Sequence, residues 1–166
     1  MHLYETLLEE CNNLEVEVYE MDHMKNKGLY GDNVIWINKS LPSIIEKCCV
    51  LAEEIGHHFT SIGNILDQSS VINRKQELKA RSWAYEKLVP LKKIIQAHKC
   101  NVSNRYELAE FLDVTEDFLE SALNWYKSKY GLYVVIENYT LYFEPLGVFE
   151  MSDWIKNPII NNRNAV

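Results

Sequence analysis

Apolar residues recur along this chain with two different periods. Leu3, Leu7, Leu8 and Cys11 fall at helical spacing, which predicts a short amphipathic helix over 3–11, ended by Asn12-Asn13. Leu14, Val16 and Val18 then alternate with Glu15 and Glu17, the period of a half-buried strand. Gly28, Gly31, Asp32 and Asn33 make residues 25–33 a turn-rich stretch. Val34-Ile35-Trp36-Ile37 reads as a second strand, so a small N-terminal sheet is expected.

Beyond residue 40 the period is helical. Ser43 with Glu46 three residues on fits a capping box, and the helix it opens should run to about Thr60, with a break at Gly63. A loop is expected over 61–72. A long helix follows from about Asn73 to His98, with a stop or kink at Pro90, whose ring removes a backbone donor. Asn104 and Thr115 are caps for two shorter helices, about 105–112 and 116–129, and Gly131 stands where a helix ends. Leu132–Ile136 and Thr140–Phe143 predict a hairpin around Glu137-Asn138, and the last ten residues are expected to be loosely held. The fold class is α+β. Residues 1–100 form a core, and 101–166 a helical, helix-turn-helix-like C-terminal subdomain with a terminal hairpin, packed as one unit with it.

Composition narrows the function. With 166 residues, 47% of them hydrophobic, the chain is long enough for one domain with a substantial core. A net charge of −7 argues against holding nucleic acid by phosphate neutralisation. The densest basic patch is Lys92, Lys93, His98 and Lys99, and a solvated helix end accounts for it, because cations suit a helix C-terminus. The four cysteines, Cys11, Cys48, Cys49 and Cys100, form no C-x-x-C pair and read as reduced thiols of a cytoplasmic protein. No basic stretch followed by an apolar one opens the chain, and no apolar run approaches the roughly 18 residues that a membrane span needs.

The chemistry concentrates on the helix at 43–60. At about 100° per residue, Ile44, Ile45, Cys48, Cys49, Leu51, Ala52, Ile55 and Phe59 share one broad arc, which should face the core. Glu53 and His57 lie together on the far side, four residues apart, where a carboxylate and an imidazole can grip one metal ion from a rigid platform. Glu54, one step round, can approach a water beside that metal. This is the geometry of H-E-x-x-H with Glu in place of the first His; in that motif two ligands hold zinc and the second-position Glu is the general base. On these five residues alone a solvated acidic helix face is the commoner explanation. The frame Glu54/His58 is equally spaced but puts Ile55 where the base should be. A third ligand is needed, and Glu77 on the next helix is the best placed; an ion pair with Arg81, four residues on, accounts for it equally well. Asp67 and His23 are further candidate ligands or transition-state helpers, and Tyr85 and His58 candidate oxyanion stabilisers.

Two long runs carry a resemblance. Leu51-Ala-Glu-Glu-Ile-Gly-His-His-Phe-Thr-Ser-Ile-Gly-Asn-Ile-Leu-Asp67 and Asn73-Arg-Lys-Gln-Glu-Leu-Lys-Ala-Arg-Ser-Trp-Ala-Tyr85 are similar to the ImmA/IrrE family of metallo-endopeptidases. The similarity extends upstream to Gly28–Ile35 and downstream from Tyr106–Thr115 to Phe143–Gly147. It implies a zincin-like metallopeptidase core: a small sheet beside an active-site helix, a second ligand-bearing helix and a helical C-terminal part. It also implies a role on phages or integrative elements, where such enzymes relieve repression by cleaving a partner repressor, often encoded next door. Carried over by position, the first ligand falls on Glu53, the base on Glu54, the second ligand on His57 and the third on Glu77. The implied metal is zinc, ahead of manganese or iron. One His and two Glu, where members with the full motif offer two His and one Glu, make the site harder and more anionic. That predicts a slower or partner-dependent enzyme.

Tyr106–Tyr130 has helix-turn-helix rhythm, yet its second helix opens Thr115-Glu116-Asp117 and continues to Glu120. Carboxylates at the tip that would enter a major groove argue against direct DNA binding. A packing element or a docking surface for a protein substrate fits better. Two functions therefore stand: a metal-dependent endopeptidase acting on a helix-turn-helix repressor, or a catalytically weak or inactive antirepressor-like module that binds such a partner.

Overall fold

The computed structural model describes residues 3–60 and 71–151. Helix α1 (Leu3–Asn13) buries Tyr4, Leu7 and Cys11. Strands β1 (Glu17–Met21), β2 (Gly28–Gly31) and β3 (Val34–Asn38) form a sheet in the order β1-β3-β2. β1 runs parallel to β3 with Val18 opposite Ile35, and β2 runs antiparallel to it with Tyr30 opposite Ile35. β1 begins later than the apolar alternation suggests, because Leu14 closes α1 by donating to Glu10 O at 3.0 Å and Glu15 turns the chain at φ 56°. The turn-rich stretch in turn contains β2. Its glycines suit an edge strand that passes close to a helix: a Cβ on Gly28 would stand 2.5 Å from Glu54 Oε1.

Helix α2 (Ile44–Thr60) lies over this sheet and opens as expected, with Glu46 N–H donating to Ser43 Oγ at 3.0 Å. Cys48, Cys49, Leu51, Ala52 and Ile55 are buried, and β3 contributes the fully buried Ile35 and Ile37. The expected arc overreached at its ends. Ile44 and Phe59 remain about half exposed, and Phe59 rests on Trp83 with ring centroids 5.1 Å apart. Helix α3 (Val71–Leu88) packs against α2 with backbones almost touching: a Cβ on Gly56 would stand 2.3 Å from Ala80 O. This approach fixes how the two helices' polar sides meet.

The long helix expected over 73–98 is interrupted. Val89 and Pro90 separate α3 from α4 (Leu91–Lys99), and Pro90 takes the N-cap position with ψ 134°. Helix α5 (Arg105–Leu112) is capped by Asn104, which accepts from Glu107 N–H at 2.9 Å; α6 (Glu116–Tyr130) is capped by Thr115, which accepts from Phe118 N–H at 3.2 Å. α6 buries Phe118, Leu119, Ala122, Leu123 and Tyr126, and the Tyr126 hydroxyl donates to Val89 O at 2.9 Å, tying α6 to the break after α3. The terminal hairpin is present as β4 (Tyr133–Ile136) and β5 (Tyr139–Phe143), and a further strand, β6 (Leu146–Glu150), continues it as an antiparallel meander.

The architecture is α+β, with six helices and two three-stranded sheets among the described residues. Cys11, Cys48, Cys49 and Cys100 are free thiols. The basic patch is partly engaged: Lys92 pairs with Glu137 at 3.0 Å and Lys99 lies 4.6 Å over the Tyr139 ring. Among the described residues no helix is long and apolar enough to cross a membrane. Residues 61–70 of the expected loop, the Asp67 candidate within it, and the last ten residues lie outside the described part.

Candidate active site

The acidic side of α2 faces a cleft between the β2 edge and α3. Glu53, Glu54, His57 and Glu77 all line it, so four residues drawn from two helices meet in one place. The cleft encloses about 450 Å³, with Lys27, Gly28, Tyr30 and Arg81 also in its walls. Helical spacing puts Glu53 and His57 on one stripe of α2, and the tight crossing at Gly56 brings Glu77 to that stripe.

One side-chain contact in the cleft joins the two helices. His57 Nε2 lies 3.2 Å from Glu77 Oε2, while the other carboxylate oxygen, Oε1, accepts from Arg81 Nε at 2.8 Å. The two explanations of Glu77 therefore hold together: it pairs with Arg81 through one oxygen and meets His57 with the other. Its carboxyl is held below the usual value, chiefly by the bond from His57 and against the opposing effect of burial. Burial alone would lower the His57 imidazole, but the Glu77 bond and the charges of Glu54, Glu77 and Glu53 outweigh it and hold it above the usual value.

The adjacent carboxylates differ. Glu54 is only 9% exposed, and burial pushes its carboxyl up to about 7 although His57 pulls the other way. It makes no side-chain hydrogen bond among the described residues and faces into the cleft. A carboxyl poised near neutrality beside a cleft is suited to proton transfer. Burial also raises Glu53, but Arg81 opposes the shift. Gly28 keeps the β2 backbone clear of Glu54, since any side chain there would meet both Glu54 and Val50.

Other candidates lie elsewhere. The His58 ring bonds the Tyr30 hydroxyl through Nδ1 at 3.0 Å. His23 sits at φ 59° just after β1 and is not among the residues lining the cleft. Tyr85 lines an adjoining space of about 360 Å³, where its hydroxyl bonds Ser121. Sequence reasoning missed Lys27, Gly28 and Tyr30 as cleft residues, and took Arg81 only as a partner of Glu77. The Gly28–Ile35 run similar to the family was the available signal for Gly28 and Tyr30; Lys27, just before that run, left none.

The donor set bears on a metal. Two ligands on one tetrahedral zinc at about 2.0–2.1 Å stand roughly 3.3 Å apart, close to the 3.2 Å between His57 Nε2 and Glu77 Oε2. Imidazole and carboxylate are ligands that zinc accepts. Glu53 is in the same wall, one helical turn before His57. Among the described residues no three His, Cys, Asp or Glu side chains are placed together so as to hold a metal ion. His57 and Glu77 thus bring together two donor types that zinc accepts, with Glu53 in the same wall and not in contact with the pair.

Comparison with known proteins adds one match. The family model described as the IrrE N-terminal-like domain, a peptidase family, matches residues 10–124, which takes in α2, α3 and the first turns of α6. No curated protein matches the sequence.

Proposed function

Since the chain belongs to the IrrE N-terminal-like peptidase family, we propose that it is a zinc-dependent endopeptidase with a zincin-like core, whose substrate is a helix-turn-helix repressor of a phage or mobile element. The observation that carries this reading is the joining of α2 and α3 through His57 and Glu77 beside the buried Glu54. Glu53, His57 and Glu77 would hold the metal. When bound, the metal supplies a Lewis acid that polarises the scissile carbonyl. Glu54 accepts a proton from the attacking water and returns it to the leaving amine. Burial suits it to both steps, because a carboxyl near 7 takes up and releases protons at neutral pH. Manganese or iron would suit the same donors less well than zinc. The reading places the catalytic core in residues 1–100 and gives 101–166 a supporting part, packed as one unit with it, in a cytoplasmic protein.

One observation favours the alternative, a partner-binding antirepressor without strong catalysis. Arg81 already occupies one oxygen of Glu77, and its charge offsets carboxylates that a metal would otherwise neutralise. The two readings separate in one experiment, with the chain expressed together with the proposed helix-turn-helix repressor substrate. Repressor cleavage that stops on chelation and in Glu54→Gln supports the peptidase. Derepression with the repressor left intact supports the binding module. Unchanged cleavage in Glu54→Gln overturns the role of Glu54.

A further inference from the structure

A groove of about 860 Å³, larger than the cleft and sharing no wall residue with it, runs between β6 and the α4–α5 region. Six consecutive residues, 144–149, touch this groove, and none from β5 does. Side chains alternate between the two faces of a strand, so a space that meets every residue in turn lies along the strand's edge. β6 is an outer strand of its sheet. The groove therefore follows the edge of β6 that β5 leaves open.

Two bonds fix which backbone groups point into it. Phe143 N–H donates to Leu132 O at 3.0 Å, so the odd-numbered residues of β5 turn to β4 and the even-numbered ones to β6. Met151 N–H donates to Asn138 O at 2.6 Å, in step with that phase. Gly147 and Phe149, opposite Tyr142 and Thr140, thus bond β5, while Leu146 and Val148 turn their N–H and C=O groups to the open edge. Among the described residues nothing bonds them there. Unpaired peptide groups along an edge are a template for another strand.

The walls say what that strand carries. Val102 is half-buried on the helical side, and Phe149 is 62% exposed at the end of β6, so apolar side chains are matched on both flanks. In a chain of net charge −7, the wall residue Arg105 forms no ion pair among the described residues, while Glu144 bonds Lys127. A carboxylate on the incoming strand meets that charge. A second copy of the chain does not fit, because its own β6 edge lies inside the same groove and two concave walls cannot fill each other. The geometry points to a docking groove for an extended segment of a partner polypeptide, which adds to β6 as a fourth strand and sets a carboxylate side chain against Arg105. The groove uses no residue of the cleft, so this holds whether the chain is a peptidase or a binding module.

The test uses the full chain, isotope-labelled for NMR. In the free protein the amides of Leu146 and Val148 should exchange with solvent about tenfold faster than those of Gly147 and Phe149. Protection of Leu146 and Val148 in the free chain overturns the proposal, because the edge is then already filled: by a second copy if protection fades on dilution, by the chain itself if it does not. The probe is the acetylated peptide amide Val-Thr-Val-Glu-Val, titrated to millimolar concentration. It should slow exchange at Leu146 and Val148 and shift the signals of Val102 and Phe149. Its Lys counterpart, with Lys in place of Glu, should bind about fivefold more weakly, and Arg105→Glu should invert that order. Two N-methylated versions, one at the valines and one at Thr and Glu, remove the peptide's donors from one side at a time. One of them should lose about tenfold in affinity and the other little. Absence of shifts at β6, equal affinity for the Glu and Lys peptides, or equal affinity for the two N-methylated ones overturns the docking groove.

Discussion

The cleft, a first lobe, and the adjoining space beside Tyr85, a second, share Lys27, Val50, Glu53 and Arg81 as wall residues but arise from different kinds of sequence. The first is local: three of its residues sit within five positions of α2, and the fourth, Glu77, comes from the neighbouring helix. The second is assembled over a long chain distance, from Lys27 after β1, Glu46 and Cys49 on α2, Tyr85 on α3 and Asp117 on α6. The first holds groups with shifted proton affinities and the second mostly paired polar groups around an aromatic floor. On the proposed reading the first lobe carries the reaction chemistry and the second holds its walls in place. Substitutions in each test that division.

The largest effect should fall on the first lobe alone. Glu54→Gln keeps the shape and removes the base, and repressor or peptide cleavage should drop by about 10²–10⁴-fold, measured as kcat with binding unchanged. Cleavage within tenfold of the parent would place the base elsewhere.

Next comes stability against pH, read on chelator-treated protein by urea titration. The Glu54 carboxyl is raised from 4.5 to about 7, chiefly by burial. The folded state therefore holds this proton more tightly than the unfolded chain. Its contribution is fully present below about pH 4.5 and is lost as pH rises through about 7. The raised His57 acts in the same sense and the lowered Glu77 in the opposite one, so the comparison with Glu54→Gln isolates Glu54. Between pH 4.5 and 8 the parent should lose on the order of 3 kcal/mol more than Glu54→Gln. Parallel curves would contradict the buried, raised carboxyl.

Gly56→Ala should disturb both lobes together, because its methyl would meet the Ala80 backbone and push α3 away from α2. The expected cost is about 2–3 kcal/mol of unfolding free energy, with cleavage falling in step. Cleavage at the parent's rate despite that loss would show that the crossing at Gly56 does not position the first lobe. The smallest effect is predicted for Tyr30→Phe, which removes the bond to His58 at 3.0 Å. About 1 kcal/mol of stability and less than a threefold change in rate are expected, since His58 serves neither lobe directly.

Legibility followed the same division. Helices with strong period and explicit caps were readable, down to Ser43, Asn104, Thr115 and Pro90, because a cap is a local hydrogen bond. β2 was not, since its glycines look like turn residues and make sense only beside Glu54. β6 was not, because the hairpin before it was already complete as a pattern. Within the first lobe the spacing of Glu53, Glu54 and His57 could be read, and Glu77 could be proposed but not joined to them. That the same Glu77 also binds Arg81 depends on which oxygen faces which partner, a matter of side-chain geometry. Asp117 read as an unfavourable tip for DNA, and its place in the adjoining space comes from how α6 packs beside α3.

Everything proposed for the first lobe depends on α2 and α3 together holding a metal for peptide hydrolysis. The most direct test is elemental analysis of the full chain as purified, alongside His57→Ala and Glu77→Ala variants shown by circular dichroism to be folded. About one zinc per chain in the parent, lost in both variants, is the predicted result. Metal content far below one per chain after zinc is supplied, or zinc retained in both variants, would contradict it.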